Sequence, residues 1–365
     1  MAEPARKTIG LLTGGGDCPG LNAVIRAVVK TAVNEYGVGV LGYRDGYYGL
    51  VAGKFFRLRW DDVSGILSLG GTILGTSNTH DPFRWAEKNG GKIVHRDRSA
   101  KAVANYRRNK LSALVIVGGD GTMASAGKLS KLGLNIIGVP KTIDNDLAGT
   151  DRTFGFDTAV QTASEAIDRL RDTAQSHHRV MIVEVMGRYA GWLALNSGVA
   201  GGADVILIPE IPYDLEKVCD CLRSRSRRGK RFSIVVAAEG ARPRGGKMIV
   251  ARTEAASPDP VRLGGVAQHL AHQVMAETGL DTRVTVLGHL QRGGSPLASD
   301  RVLCTRFGTR AAELAVSGVF GQMVALRGSD LVSVPLKQVA GKLSTVPTDH
   351  PLIAAARAIG TGFGD

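Results

Sequence analysis

Short apolar runs alternate with longer amphipathic stretches over almost the whole chain. Residues 9–13 read as a strand, followed by a glycine turn and a helix over 21–35. Residues 113–117 are rich in β-branched side chains and lead through glycines into a helix near 123–132. The strand signal returns at 135–139, 180–185, 205–208, 233–238 and 284–287, with helix-like segments between. Strands alternating with helices predict an α/β fold of largely parallel sheets sandwiched by helices.

In such folds ligands bind beyond the carboxyl ends of the strands, where the loops gather. The unusual residues of this chain fall there. The glycines at 14–16, the segments 118–121, 141–146 and 186–188, Glu239, and the segment 289–292 each come just after an expected strand. Six segments are thus expected to converge on one edge and form an active site.

Composition narrows the field. Apolar residues make up 44% of 365, aromatics only 5%, and glycine is abundant at 48. That balance suits a globular protein with many tight strand-to-helix turns and excludes disorder, collagen and a membrane span. The first apolar run is too short for a signal-peptide core, and no later run approaches the ~18 residues that span a bilayer. A cytoplasmic location and no membrane partner are therefore expected. Cys18, Cys219, Cys221 and Cys304 lack zinc-ligand spacing and read as free thiols. The formal charge of +13 fits nucleic acid or phosphorylated small molecules equally. No recognition motif or interleaved aromatics accompany the basic run at 223–231, so no nucleic-acid partner is expected.

The motifs carry more. Gly14-Gly15-Gly16-Asp17 lies between strand and helix, where backbone N–H groups approach an anion. Alone it reads equally as a tight turn. Gly118-Gly119-Asp120-Gly121-Thr122 adds a carboxylate, which suits magnesium bridging the phosphates of a donor. Pro140-Lys141-Thr142-Ile143-Asp144-Asn145-Asp146 places two carboxylates two residues apart. One is suited to accept a proton from an attacking hydroxyl and the other to hold position or metal, against an Asx-rich turn as the plain reading. Adjacent His177 and His178 point differently and read as pocket-edge or structural residues.

Further segments join these: Ser-His-His-Arg at 176–179, Met-Gly-Arg at 186–188, Ala-Glu-Gly at 238–240 and Leu-Gly-His-Leu-Gln-Arg-Gly-Gly at 287–294. Together with Gly-Gly-Asp-Cys-Pro-Gly-Leu-Asn at 15–22, and in this order, they resemble the phosphofructokinase family, in its bacterial-type, mixed ATP/pyrophosphate subgroup, from about residue 8 to 326. The resemblance implies two Rossmann-like lobes with the site in the cleft between them. Residues 1–155 plus 291–341 are expected to bind the phosphoryl donor, and 156–290 plus 342–365 the sugar phosphate. It implies phosphoryl transfer from ATP to the 1-hydroxyl of fructose 6-phosphate, with Mg2+, in glycolysis.

By the same resemblance Asp144 is the base, with Thr142 and Asp146 supporting it, and Arg188 stabilises the moving phosphoryl group. Gly16, Asp120, Gly121, Thr122 and Lys141 are expected at the donor, with Asp120 as metal ligand. Arg179, Arg283, His289 and Arg292 are expected to clamp the 6-phosphate, with Met186, Gly187 and Glu239 around the sugar. Arg179 and Arg283 would serve a neighbouring subunit of a dimer or tetramer.

Two positions bear on the donor. Pyrophosphate-using relatives carry Asp where this chain has Gly121, which blocks the nucleotide, and Lys where it has Lys141. Gly121 favours ATP, and the pyrophosphate-dependent reaction is the alternative. Asn78 stands where most relatives have an arginine that reaches the donor phosphates, and Lys141 is a candidate for restoring that charge. A non-catalytic regulatory paralogue is the remaining reading. Arg26, Lys30, Arg171, Arg228 and Lys230 match an allosteric effector site, with Trp60 in place of a further arginine.

Overall fold

In the computed structural model, which describes residues 7–254, 256–257 and 260–365, the strands divide mainly between two sheets. The first part of the chain supplies β1 (Thr8–Thr13), β2 (Gly39–Tyr43), β3 (Phe55–Leu58), β4 (Trp85–Asn89), β5 (Lys92–Arg96), β6 (Ala113–Gly118) and β7 (Ile136–Pro140). Next come β8 (Val180–Val185), β9 (Val205–Leu207), β10 (Ser233–Ala238), β11 (Val250–Thr253), β12 (Val261–Leu263) and β13 (Thr282–Val286). β14 (Gln322–Arg327) and β15 (Asp330–Pro335) are last.

The larger sheet runs β15-β14-β7-β6-β1-β2-β3, parallel through its five inner strands with an antiparallel strand at each edge. The smaller sheet runs β13-β8-β10-β9 and is parallel throughout. β6, β7, β8 and β10 are buried along their whole length. That is why they read as continuous apolar runs rather than alternating ones: helices cover both faces. Val24, Val28, Phe307 and Ala311 pack on one face of the larger sheet, and Met123, Ala126 and Leu129 on the other. The smaller sheet has the same two-sided core. The expected fold class is observed.

The polar stretch 242–260 contains β11, which pairs with β12 in an antiparallel hairpin beside the smaller sheet; residues 255, 258 and 259 lie outside the described residues. Among the described residues no helix is long and apolar enough to cross a membrane.

The chain passes between the two sheets three times. It leaves the larger sheet after β7 through the helix Phe156–His177 and returns in the helix Ala298–Ser317. After β15 it goes back, so that Ile353 and Ala356 of the helix Pro351–Ala358 join the smaller core. Gly362 then pairs with Val205 beside β9. The first two crossings are tied by Asp300, fully buried, whose carboxylate accepts from Gly155 N at 2.9 Å and from Thr158 N at 2.9 Å. These bonds satisfy N–H groups at the start of the helix Phe156–His177 that have no intrahelical partner.

Candidate active site

β1, β6 and β7 end side by side, and the loops leaving them interlock. Gly14 N donates to Val117 O at 2.8 Å, Gly15 N to Ser77 O at 3.0 Å, and Lys141 N to Gly118 O at 3.0 Å. Asn78 follows Ser77 directly and is exposed beside the glycine loop. Asp120 begins the helix Asp120–Lys131, and its Oδ1 accepts from Gly341 N at 3.1 Å. Burial raises its pKa. Gly121 is exposed, and a β-carbon built there meets no atom within 4 Å. Neither its backbone conformation nor packing requires glycine, although glycine costs about 1 kcal/mol relative to alanine inside a helix. Thr122 is buried, its hydroxyl end packed under the glycine loop and its carbonyl bound by Tyr47 OH at 2.8 Å.

Lys141 is buried, and its ammonium donates to Gly16 O. Burial lowers its pKa, with Cys18 and Asp144 acting against that and Arg292 adding to it. Asp144 N bonds Thr142 Oγ1 at 3.1 Å, while Asp144 Oδ1 is buried with no hydrogen-bond partner in the structure. Burial raises the pKa of Asp144, and the nearby Arg292 and Lys141 charges oppose it. Asp146 is pushed up to about 7 by burial first and the Asp144 charge second. The turn is held by Asn145, left-handed at φ 51°, whose Oδ1 accepts from Thr153 N at 2.8 Å.

The smaller sheet brings its own loops to meet these. Met186, Gly187 and Arg188 follow β8. Gly187 has φ 130°, and a β-carbon there would stand 2.8 Å from Ala190 O, so this turn requires glycine. Arg188 lies 4.8 Å from the Tyr189 ring centroid. Glu239 follows β10 and is pushed up to about 7, by burial, then by Asp144 and Glu184. After β13, Arg292 crosses to the other lobe: its Nη1 donates to Asp17 O at 3.2 Å, and it packs against Gly16. Arg292 therefore sits with Asp144, Lys141 and Glu239, while His289 is exposed in the short turn Gly288–Arg292.

Arg179 and Arg283 lie elsewhere. They occupy the amino ends of β8 and β13 and share one carboxylate, Asp281: Arg179 Nε donates to Oδ2 at 2.7 Å and Arg283 Nη1 to Oδ1. The expected phosphate clamp is thus split within this chain. His177 ends the helix Phe156–His177 and left-handed His178 is its C-cap residue, both exposed. Of the expected effector cations, Lys30 stands 3.5 Å above the Trp60 ring and Arg171 donates to Gly201 O.

A family model described as phosphofructokinase matches residues 8–315. The chain belongs to the phosphofructokinase family. It is 51% identical, over the full length of both chains, to a Clostridium perfringens protein named ATP-dependent 6-phosphofructokinase 2. Over the full length of both it is also 52% identical to a Spirochaeta thermophila protein named ATP-dependent 6-phosphofructokinase. A Pichia pastoris phosphofructokinase structure in the T-state superposes with a TM-score of 0.78 at 34% identity; the match covers 93% of this chain and 38% of that longer one.

Within the phosphofructokinase motifs, two residues carry structural work that their sequence context did not assign. Asn22 Nδ2 donates to Leu69 O and Gly70 O, each at 3.1 Å, and its Oδ1 accepts from Ile73 N at 2.8 Å, pinning the loop that leads to Asn78. Gln291, fully buried, approaches Met186 N at 3.4 Å through Oε1 and donates to Gly288 O at 3.1 Å. Both stand in motifs rich in glycine, where a buried amide suits a loop with many main-chain groups to satisfy.

Proposed function

We propose that this chain transfers the γ-phosphoryl group of ATP to the 1-hydroxyl of fructose 6-phosphate, with residues 1–155 plus 291–341 holding the donor and 156–290 plus 342–365 the sugar phosphate. The observation that carries the reading is Asp144: a carboxylate oxygen buried without a partner, in the cleft, between two cations. Burial raises its basicity while Arg292 and Lys141 keep the charged form accessible, which is what a base for a hydroxyl proton needs. Glu239 would orient the sugar hydroxyls. Arg188, on the facing loop, would meet charge developing on the equatorial phosphoryl oxygens.

Among the described residues no cluster of three or more His, Cys, Asp or Glu forms a metal cage. That fits magnesium, which keeps several waters and arrives on the donor phosphates with one or two carboxylates completing its shell. Asp120 supplies such a carboxylate, already oriented by Gly341 N. The ion would neutralise phosphate charge.

Open space at Gly121 supports ATP over pyrophosphate, as do the names of the two curated relatives. Lys141 spends its ammonium on Gly16 O beneath the same loop that borders Asn78. From there its charge would act on a bound donor across the glycine loop. Arg179 and Arg283 would bind the 6-phosphate held by a neighbouring subunit. Initial rates with fructose 6-phosphate and magnesium test the reading, comparing ATP with pyrophosphate on one sample. A clear ATP preference is expected, and a pyrophosphate preference would overturn the donor assignment.

A further inference from the structure

The last crossing between the lobes makes a series of contacts of which the mechanism above uses only the bond from Gly341 to Asp120. Residues 341–346, Gly-Lys-Leu-Ser-Thr-Val, run along the surface with only Val346 buried and Ser344 half-buried. Their main chain is nevertheless tied at almost every step. Gly341 N donates to Asp120 Oδ1 at 3.1 Å. Lys342 O accepts from Ala148 N at 3.4 Å, Leu343 bridges antiparallel to Leu147, and Ser344 N donates to Asp146 O at 2.7 Å. Ser344 O accepts from Trp192 Nε1 at 2.9 Å, and Val346 N donates to Glu210 Oε1 at 2.8 Å. The same Glu210 carboxylate accepts from Gly191 N at 3.0 and 3.1 Å, closing the turn that contains Arg188.

Six residues therefore touch the donor-side carboxylate, the loop of the two aspartates and, through Trp192 and Glu210, the loop of Arg188. An exposed segment gains little from burial, so these hydrogen bonds fix its course. Glu210 is suited to be a hook because its half-buried carboxylate has main-chain donors from two directions.

We propose that residues 341–346 form a positioning strap, hooked by Trp192 and Glu210, that holds Asp120, the 142–148 loop and the 186–191 loop in one register. What those groups do once aligned rests on the phosphoryl-transfer reading; the coupling itself does not. Reacting atoms must approach within about 3–3.5 Å, and a displacement of about 1 Å arising far from the chemistry can cost about 10²-fold in rate. A strap that spans both lobes meets that demand with backbone groups alone, which is why its side chains carry no recognisable motif.

The test uses the full-length protein with Trp192→Phe, Glu210→Ala and Glu210→Gln, read by amide hydrogen exchange and by steady-state kinetics. In Trp192→Phe and Glu210→Ala, exchange at 342–346 is expected to rise about tenfold, and exchange at 118–126 on the other lobe to rise with it. kcat should fall about 10–100-fold while the KM for fructose 6-phosphate stays within about threefold. Glu210→Gln keeps one carbonyl acceptor and should recover most of the loss. Combining Trp192→Phe with Glu210→Ala should cost little more than the worse single change, since both release the same strap. Faster exchange confined to 186–210, or kcat within about twofold of the parent in folded variants, overturns the proposal. Coupled exchange in a chain whose parent does not phosphorylate fructose 6-phosphate would reject the functional reading and leave the strap standing.

Discussion

β8 and β13 lie side by side, and each carries candidate phosphate-binding residues at both of its ends. The two ends are built differently. At the carboxyl ends, Gln291 ties the loop after β13 to Met186 after β8, and Arg292 reaches across to Asp17 of the other lobe. At the amino ends, Arg179 and Arg283 share a single exposed carboxylate, leaving one positive charge in excess. Strands of five and six residues, rising about 3.3 Å per residue, separate the ends by roughly 17–20 Å, longer than one hexose phosphate. One ligand therefore does not reach both ends in one chain. The carboxyl-end site is assembled by the fold itself, whereas the amino-end pair stands apart from it, held by one carboxylate. Exposed ion pairs add little stability, so Asp281 is better understood as orienting the two guanidinium groups than as holding the fold together.

Substitutions at the two ends should separate rate from affinity. Asp144→Asn is expected to lower kcat by about 10³-fold or more with little change in the KM for fructose 6-phosphate, because a base acts only as the proton moves. Residual kcat within about tenfold of the parent would remove Asp144 from that role. Arg283→Ala should do the reverse, raising that KM by about 10–100-fold with a smaller effect on kcat, the pattern that follows from the proposed charge-assisted bond to a phosphate present throughout. Reassociating Asp144→Asn chains with Arg283→Ala chains then tests whose site the arginine serves. Mixed assemblies should recover activity above either parent variant if Arg283 acts across a subunit boundary. Recovery no greater than the sum of the two would place Arg283 in its own chain's site. Asp281→Ala, which frees both guanidinium groups without removing a charge from them, should raise the KM only a few-fold.

The comparison also explains what could be read from the chain in advance. β6, β7, β8 and β10 were legible because burial on both faces leaves continuous apolar runs, and the site loops follow from where those strands end. β2 has glycine at both Gly39 and Gly42, and β3 reads Phe-Phe-Arg-Leu at an edge, so neither gives a clean period. β14 and β15 add an antiparallel edge that alternation with helices does not announce. In the site, charged residues inside glycine motifs stood out. Glu210, Asp300 and Glu184 did not, because each works by accepting main-chain N–H groups from distant segments: Glu184, for example, binds Gly265 N at 3.1 Å and Ala267 N at 3.0 Å. Such bonds leave no periodic or motif signature.

The smallest expected effect concerns protons, and here the two ends have opposite signs. Asp146 and Glu239 are each raised to about 7, chiefly by burial, from ordinary values of 3.8 and 4.5. Between those limits the folded chain holds protons that the unfolded chain has released. Their contribution to stability is fully present below the unfolded values and is lost as pH rises through about 7. Asp281 is lowered, mainly by its bond from Arg179, so its contribution is present above 3.8 and is lost as pH falls through its folded value. Asp146→Asn should therefore flatten the decline in Tm from pH 5 to pH 8 by a few degrees, while Asp281→Asn should leave that window unchanged and act only in acid. Thermal melts of the two variants across pH 3–8 read this directly. A decline in Asp146→Asn as steep as in the parent would mean that its carboxylate is ionised in the folded chain, and that the carboxyl-end site is wetter and less closed than its packing indicates.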